Sequence, residues 1–172
     1  MNPSVTPSPA ELQRTLRRLL DSSPKVTFPD VRPSDWSAAG IAIASQLGIA
    51  AGMPDGQFHG NANVTRVEFA AMTARALHLV TPVTAGNHPF TDTKGHWAEG
   101  MIAALEHAGV VNGKGNGLFM PDRPISRAEI AAILARVMKM TPAPTTNSFS
   151  DISNSRAKSY IEQLHAAGIV GR

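Results

Sequence analysis

Residues 90–129 read FTDTKGHWAEGMIAALEHAGVVNGKGNGLFMPDRPISRAE. Two helical signatures lie in this stretch, separated by a glycine-rich loop. Ala98, Ile102, Leu105 and Gly109 fall at i, i+4, i+7 and i+11, which is one helical face. Gly109 ends that helix, because glycine tolerates the left-handed conformation of a C-terminal cap. Asn116-Gly117 is a turn former. Ser126 precedes Glu129 by three residues, a capping box in which each side chain satisfies a backbone N–H of the other. Ile130, Ile133, Leu134 and Val137 continue as the predicted buried stripe of a second helix.

The same residue types recur in the same order elsewhere. An earlier block begins Phe28-Pro-Asp30 and runs through Trp36, Ile41, Gly48-Ile49, Gly52, Asp55-Gly56, Phe58 and Thr65-Arg66-Val67-Glu68. Its partners in the quoted block are Phe90-Thr-Asp92, Trp97, Ile102, Gly109-Val110, Gly113, Asn116-Gly117, Phe119 and Ser126-Arg127-Ala128-Glu129. A later block starts at Phe149-Ser-Asp151 and carries Ala157, Ile161, Leu164 and Gly168-Ile169. The period is about 60 residues, within the range where internal repetition defines the architecture. Phe69, Met72 and Leu77 are the expected buried stripe of the first capping-box helix.

Working back to the N-terminus, Ser8-Pro9-Ala10-Glu11-Leu12 matches the two capping boxes, with Leu16, Leu19 and Leu20 on its apolar face. The spacing from the capping-box glutamate to the next Phe-x-Asp is 17, 22 and 20 residues. Three units of capping-box helix, linker and Phe-x-Asp helix are therefore expected, able to close into an all-α, pseudo-threefold helical bundle with projecting loops. The predicted organisation is an N-terminal segment 1–27 with a helix at about 9–22, a first repeat at 28–80, a second at 90–140 and a partial third at 149–172, with linkers at 81–89 and 141–148.

Composition excludes several classes. The 172 residues include no cysteine, so disulfide scaffolds, thiolate metal sites and cysteine nucleophiles are ruled out. Hydrophobic residues are 42% of the chain, enough for a packed core. The net charge is only +3 and aromatics are 5%, lying far from the one dense basic spot at Arg14, Arg17 and Arg18; no nucleic-acid partner is expected. No apolar run reaches the roughly 20 residues of a membrane span. MNPSVTPSPAELQRTLRRLL has no apolar core of a signal peptide, so the chain is read either as internal or as a mature or cut fragment. The histidines at 59, 78, 88, 96, 107 and 165 show no metal-ligand spacing, so no metal or cofactor is expected. Gly113-Lys114-Gly115-Asn116-Gly117 resembles a phosphate loop only superficially, lacking the Gly-Lys-Ser/Thr ending and a preceding strand. No serine sits in a nucleophile elbow, and no catalytic residue is assigned.

Phe-x-Asp, Trp, Gly-Ile, Gly-x-x-Asp-Gly-x-Phe and Thr-Arg-x-Glu in this order resemble the S-layer homology (SLH) domain, directly over about 28–172 and by internal match over 9–22. The resemblance implies a helical, pseudo-threefold module at the cell surface. Such modules anchor proteins non-covalently to cell-wall polysaccharide, commonly pyruvylated secondary polymers or peptidoglycan-linked glycan. It further implies that sugar lies in grooves between prongs, with the motif arginine as a ligand and the tryptophan in or near the groove. Carried over, these are Arg66, Arg127, Trp36 and Trp97.

The chemistry of these residue types suits that role. Arginine presents a planar fork that matches a pyruvyl carboxylate bidentately. The start of a capping-box helix is expected to offer open N–H groups to an anion. Tryptophan gives a flat apolar face for a sugar ring. Each residue also has a plainer role: the tryptophans as packing, the arginines as partners of carboxylates such as Asp92. Glu11, Glu68 and Glu129 are read as caps, and Asp30, Asp92 and Asp151 as caps of the first helix or its preceding turn. The departures are Pro9 and Arg156, which stand at an arginine and a tryptophan position, and the absent third loop. At most two competent grooves are expected. The alternative function is a structural adaptor that docks on protein partners in a surface or phage-like assembly.

Overall fold

The computed structural model describes residues 27–79, 89–140 and 148–171. The expected helix at 9–22, with Glu11 and Pro9, lies outside them, as do nearly all residues of the two linkers. The described residues form five α-helices and no sheet: α1 (Ala38–Gln46), α2 (Arg66–Ala76), α3 (Glu99–His107), α4 (Arg127–Val137) and α5 (Lys158–Ala166). The protein is all-α. The chain divides into two compact units, one ending at Ala62 and the other beginning at Asn63. The boundary thus separates the first repeat's loop from its capping-box helix.

In the first unit, α1 is followed by Gly48 with a φ of 68°, the left-handed cap that the periodicity requires. The Phe28 ring packs on Phe58 at 5.2 Å between centroids. The Asp30 carboxylate accepts the N–H groups of Phe58 and His59 at 2.8 and 2.7 Å. These bonds pin the Phe-x-Asp segment to the loop that follows α1. The Phe58 N–H, foremost, holds the Asp30 carboxyl below its ordinary pKa.

The second unit repeats this arrangement with the same residue types. Phe90 and Phe119 pack at 5.4 Å, and Asp92 accepts from Phe119 and Met120 N–H at 2.8 and 2.7 Å. The expectation that Asp30 and Asp92 cap the first helix or its preceding turn is therefore corrected. They bind N–H groups 27 to 29 positions downstream, while the caps of α1 and α3, Ser37 and Ala98, make no side-chain cap bond. The physical reason is demand. His59 and Met120 sit at φ 54° and 60°, uncommon for residues with a Cβ, and the carboxylate holds each turn in place.

The two capping boxes are complete: Thr65 with Glu68, and Ser126 with Glu129. Helix α2 packs on α3, and α4 on α5. Each capping-box helix thus pairs with the Phe-x-Asp helix after it. Ala98, Ile102 and Leu105 of the α3 face have no solvent exposure. Full burial of Ile102 and Leu105 contributes roughly 1.5–3 kcal/mol each. The buried face of α2 differs from the expected stripe. Val67, Ala70, Ala71 and Ala74 are buried, whereas Phe69, Met72 and Leu77 are only half-buried. On α4, Ala131, Ile133 and Ala135 are buried and Ile130, Leu134 and Val137 lie at the margin. Small residues let the helix axes approach, and the larger side chains close the edges of the contact.

Candidate functional site

In the second unit, a cavity of about 410 Å³ opens between α4, the start of α5 and the loop 111–115. Its floor is Arg66, which is 4% exposed. The guanidinium donates from Nε to the Phe119 carbonyl at 2.9 Å, from Nη2 to the Asn112 carbonyl at 3.2 Å and from Nη1 to Glu129 at 3.2 Å. It also lies 4.6 Å from the Phe119 ring centroid. Of arginine's five N–H groups, three are used within the described residues. Burial lowers the Arg66 pKa, against the raising effect of Glu129. The carboxylate that pairs with Arg66 is thus Glu129, not Asp92.

Glu129 gathers the cations around it. Its Oε1 accepts from Arg66, from Arg123 at 2.9 Å and from Lys114, while Oε2 accepts the Ser126 N–H at 2.8 Å. Burial pushes the carboxyl pKa up, but Lys114, the Ser126 N–H and the Arg66 charge outweigh it and hold it at about 2. A residue read as a cap is therefore also the anionic centre of this wall. The remaining wall is cationic and aromatic: Arg136 sits 5.5 Å from the Tyr160 ring centroid, and the exposed Arg156 stands at the mouth.

The expected free N–H groups at the start of α2 are absent. Arg66 and Val67 donate to the carbonyls of Arg123 and Pro121, and Glu68 donates to the Thr65 hydroxyl. The chain preceding α4 runs beside the chain preceding α2 and closes that end of α2. At the start of α4, no partner among the described residues takes the N–H of Arg127 or Ala128.

Of the residues expected to bind glycan, Trp36 belongs to the first unit, and in the second Arg66 and Arg127 line different cavities. Arg66 lies in the cavity floor. Arg127 is exposed and lines a second cavity of about 730 Å³ with Asp151, Phe149 and Ile161. Among the described residues, Asp151 accepts no pair of backbone N–H groups like the pair Asp92 holds. Trp97 is 61% exposed beside His96, with 5.6 Å between ring centroids, and does not line the 410 Å³ cavity. Trp36, in the first unit, is 97% exposed. Neither tryptophan is a core residue. Lys114, Arg136 and Tyr160 were not legible as site residues, since nothing in their spacing ties them to Arg66. Arg156 is visible in the sequence as a departure from the repeat, and the Gly113–Gly117 loop as a glycine-rich run.

Among the described residues, no group of three or more potential ligands is placed to hold a metal, and no helix is long and apolar enough to cross a membrane.

The loop, the paired capping boxes and the helix pairs they start define a repeated helix-loop-helix module. The S-layer homology domain model matches residues 27–70 and 89–131, just over half of the chain. The chain belongs to that family. It is 32% identical over 120 residues to a cellulosome-anchoring protein of Acetivibrio thermocellus, covering 68% of this chain and 27% of that protein. It is 37% identical over 115 residues to the S-layer protein sap of Bacillus anthracis, covering 66% and 14%. It is also 35% identical over 141 residues to an amylopullulanase of Thermoanaerobacterium thermosulfurigenes, covering 77% and 8%. The chain therefore spans about a quarter or less of the length of these curated relatives.

Proposed function

We propose that this chain is a non-catalytic anchoring module that holds a larger protein at the cell envelope by binding cell-wall carbohydrate. The ligand would be a pyruvylated secondary polymer or a peptidoglycan-linked glycan. Family membership supports the anchoring role, as do relatives named for anchoring and for the S-layer. The observation that carries the glycan reading is the 410 Å³ cavity, in which Arg136 lies against the Tyr160 ring and Arg156 lines the same opening. Guanidinium forks match anionic sugar substituents, and the ring offers an apolar surface to a pyranose.

A co-sedimentation assay with purified cell-wall sacculi tests this. Binding should be strong, and removing pyruvyl groups should weaken it if the carboxylate is read directly. The informative variants are Arg156→Gln in the 410 Å³ cavity and Arg127→Gln in the 730 Å³ cavity, because both arginines are exposed and their loss spares the core. Arg127→Lys should not restore binding fully, since a lysine lacks the fork. The arginine and pyruvyl losses should be less than additive where the two groups touch. A second reading, docking on protein partners, is favoured by the structural use of three Arg66 N–H groups and by Arg156 at an aromatic position. Absence of sacculus binding by the folded module would select it.

A further inference from the structure

The charge of the 410 Å³ cavity exceeds what one sugar carboxylate needs. Four cationic side chains line it, Arg66, Lys114, Arg136 and Arg156, against the single carboxylate of Glu129. That carboxylate is already shared: its Oε1 accepts from Arg66, Lys114 and Arg123. It is not available to neutralise the outer pair. Among the described residues, Arg136 donates to the Val110 carbonyl at 3.4 Å, lies against the Tyr160 face, and meets the Asn112 amide oxygen at 3.2 Å when that amide donates to the Val111 carbonyl. Arg156 makes no hydrogen bond or ion pair with the described residues. It also stands where the other two repeats carry Trp36 and Trp97, so this cavity has gained a cation at a position otherwise aromatic. The Gly113-Lys114-Gly115 loop forms one lip.

We infer that this cavity takes a sugar unit bearing a phosphate group. Resting on the glycan reading above, this names the substituent the site recognises. A phosphomonoester near neutral pH carries close to two negative charges and three acceptor oxygens. It can meet two guanidinium forks at once, where a single carboxylate saturates with one. Tyr160, held against Arg136, supplies the adjoining ring-sized apolar surface.

The test is calorimetric titration of the whole chain with glucose 6-phosphate, glucuronate, inorganic phosphate and glucose. Glucose 6-phosphate should bind about 10-fold or more tighter than glucuronate, the effect of one added charge-assisted contact. It should also bind tighter than inorganic phosphate, because the sugar contributes contacts. Arg156→Gln should erase the preference for phosphate over carboxylate. Arg156→Trp, which restores the aromatic of the other repeats, should raise affinity for glucuronate relative to glucose 6-phosphate. Circular dichroism checks that each variant keeps its helices. Equal binding of glucuronate and glucose 6-phosphate overturns the inference. So does inorganic phosphate binding as tightly as the sugar phosphate, an unchanged preference in Arg156→Gln, or no binding of any probe. The sacculus assay reads the parent proposal separately. Sacculus binding without phosphate preference leaves anchoring standing and removes the phosphate assignment. Phosphate preference without sacculus binding does the reverse.

Discussion

Arg66 Nη1 lies 3.2 Å from Glu129 Oε1, so the arginine of one Thr/Ser-Arg-x-Glu motif is bound to the glutamate of the next. The two residues are 63 positions apart, and Glu129 also caps its own helix start. This cross-repeat pair fixes the entrance of α2 against that of α4 and sets the floor of the cavity.

Replacing Glu129 by glutamine should be strongly destabilising. Removing one member of a buried ion pair leaves an uncompensated charge, at a cost of roughly 3–5 kcal/mol. Here Arg66, only 4% exposed, is the charge left behind. Glu68→Gln removes a comparable cap but no cross-repeat pair, and should cost about 1 kcal/mol. Urea denaturation of both variants checks this; equal losses would show that Glu129 acts only as a cap.

Acid stability should follow the same carboxylate. The Glu129 pKa is lowered from 4.5 to about 2 in the folded protein. A depressed carboxylate contributes stability that is fully present above its unfolded pKa and is lost as pH falls through the folded one. The denaturation midpoint should therefore drop between about pH 4.5 and pH 2. In Glu129→Gln the dependence over that window should flatten. A variant that retains the full wild-type slope would place the titrating group elsewhere.

Much of this was legible in the residues, and the illegible part has a common cause. The capping boxes and the Ala98–Ile102–Leu105 face are local, so spacing alone exposes them. The bond from Asp92 to the Phe119 N–H spans 27 positions, and nothing in periodicity announces such a reach. The buried face of α2 departs from the spacing of its large side chains because size does not decide burial. There the close approach of α3 selects Ala70 and Ala74 over Phe69. Arg66 was identified, but its three structural bonds depend on backbone carbonyls at Asn112 and Phe119 that only the folded loop positions.

Glycine positions should separate packing from flexibility. A Cβ on Gly113 would lie 2.6 Å from the Phe90 ring and 2.9 Å from the Leu118 carbonyl oxygen. Gly113→Ala should thus cost roughly 1–3 kcal/mol by overpacking and shift the cavity lip. Gly40, inside α1, has nothing within 4 Å of its added Cβ. Gly40→Ala should stabilise by about 0.5–1 kcal/mol through helix propensity. Thermal melts of the two variants should move in opposite directions; a stabilised Gly113→Ala would contradict the close contact.

The tryptophans give the sharpest link between surface and function. Trp36 is 97% exposed and Trp97 is 61% exposed, so neither is held by core packing. Trp36→Ala should change stability by no more than about 0.5 kcal/mol, the range for surface positions. The native fluorescence should resemble that of solvated indole and be quenched readily by iodide. If these rings contact wall glycan, adding sacculi should shield them from iodide. Trp97→Ala should then weaken binding by about fivefold or more, the loss of a contact worth over roughly 1 kcal/mol. Unfolding of Trp97→Ala would assign the ring to packing beside His96. Unchanged sacculus binding by folded Trp36→Ala and Trp97→Ala would exclude both rings as contacts, leaving recognition to the cationic cavity.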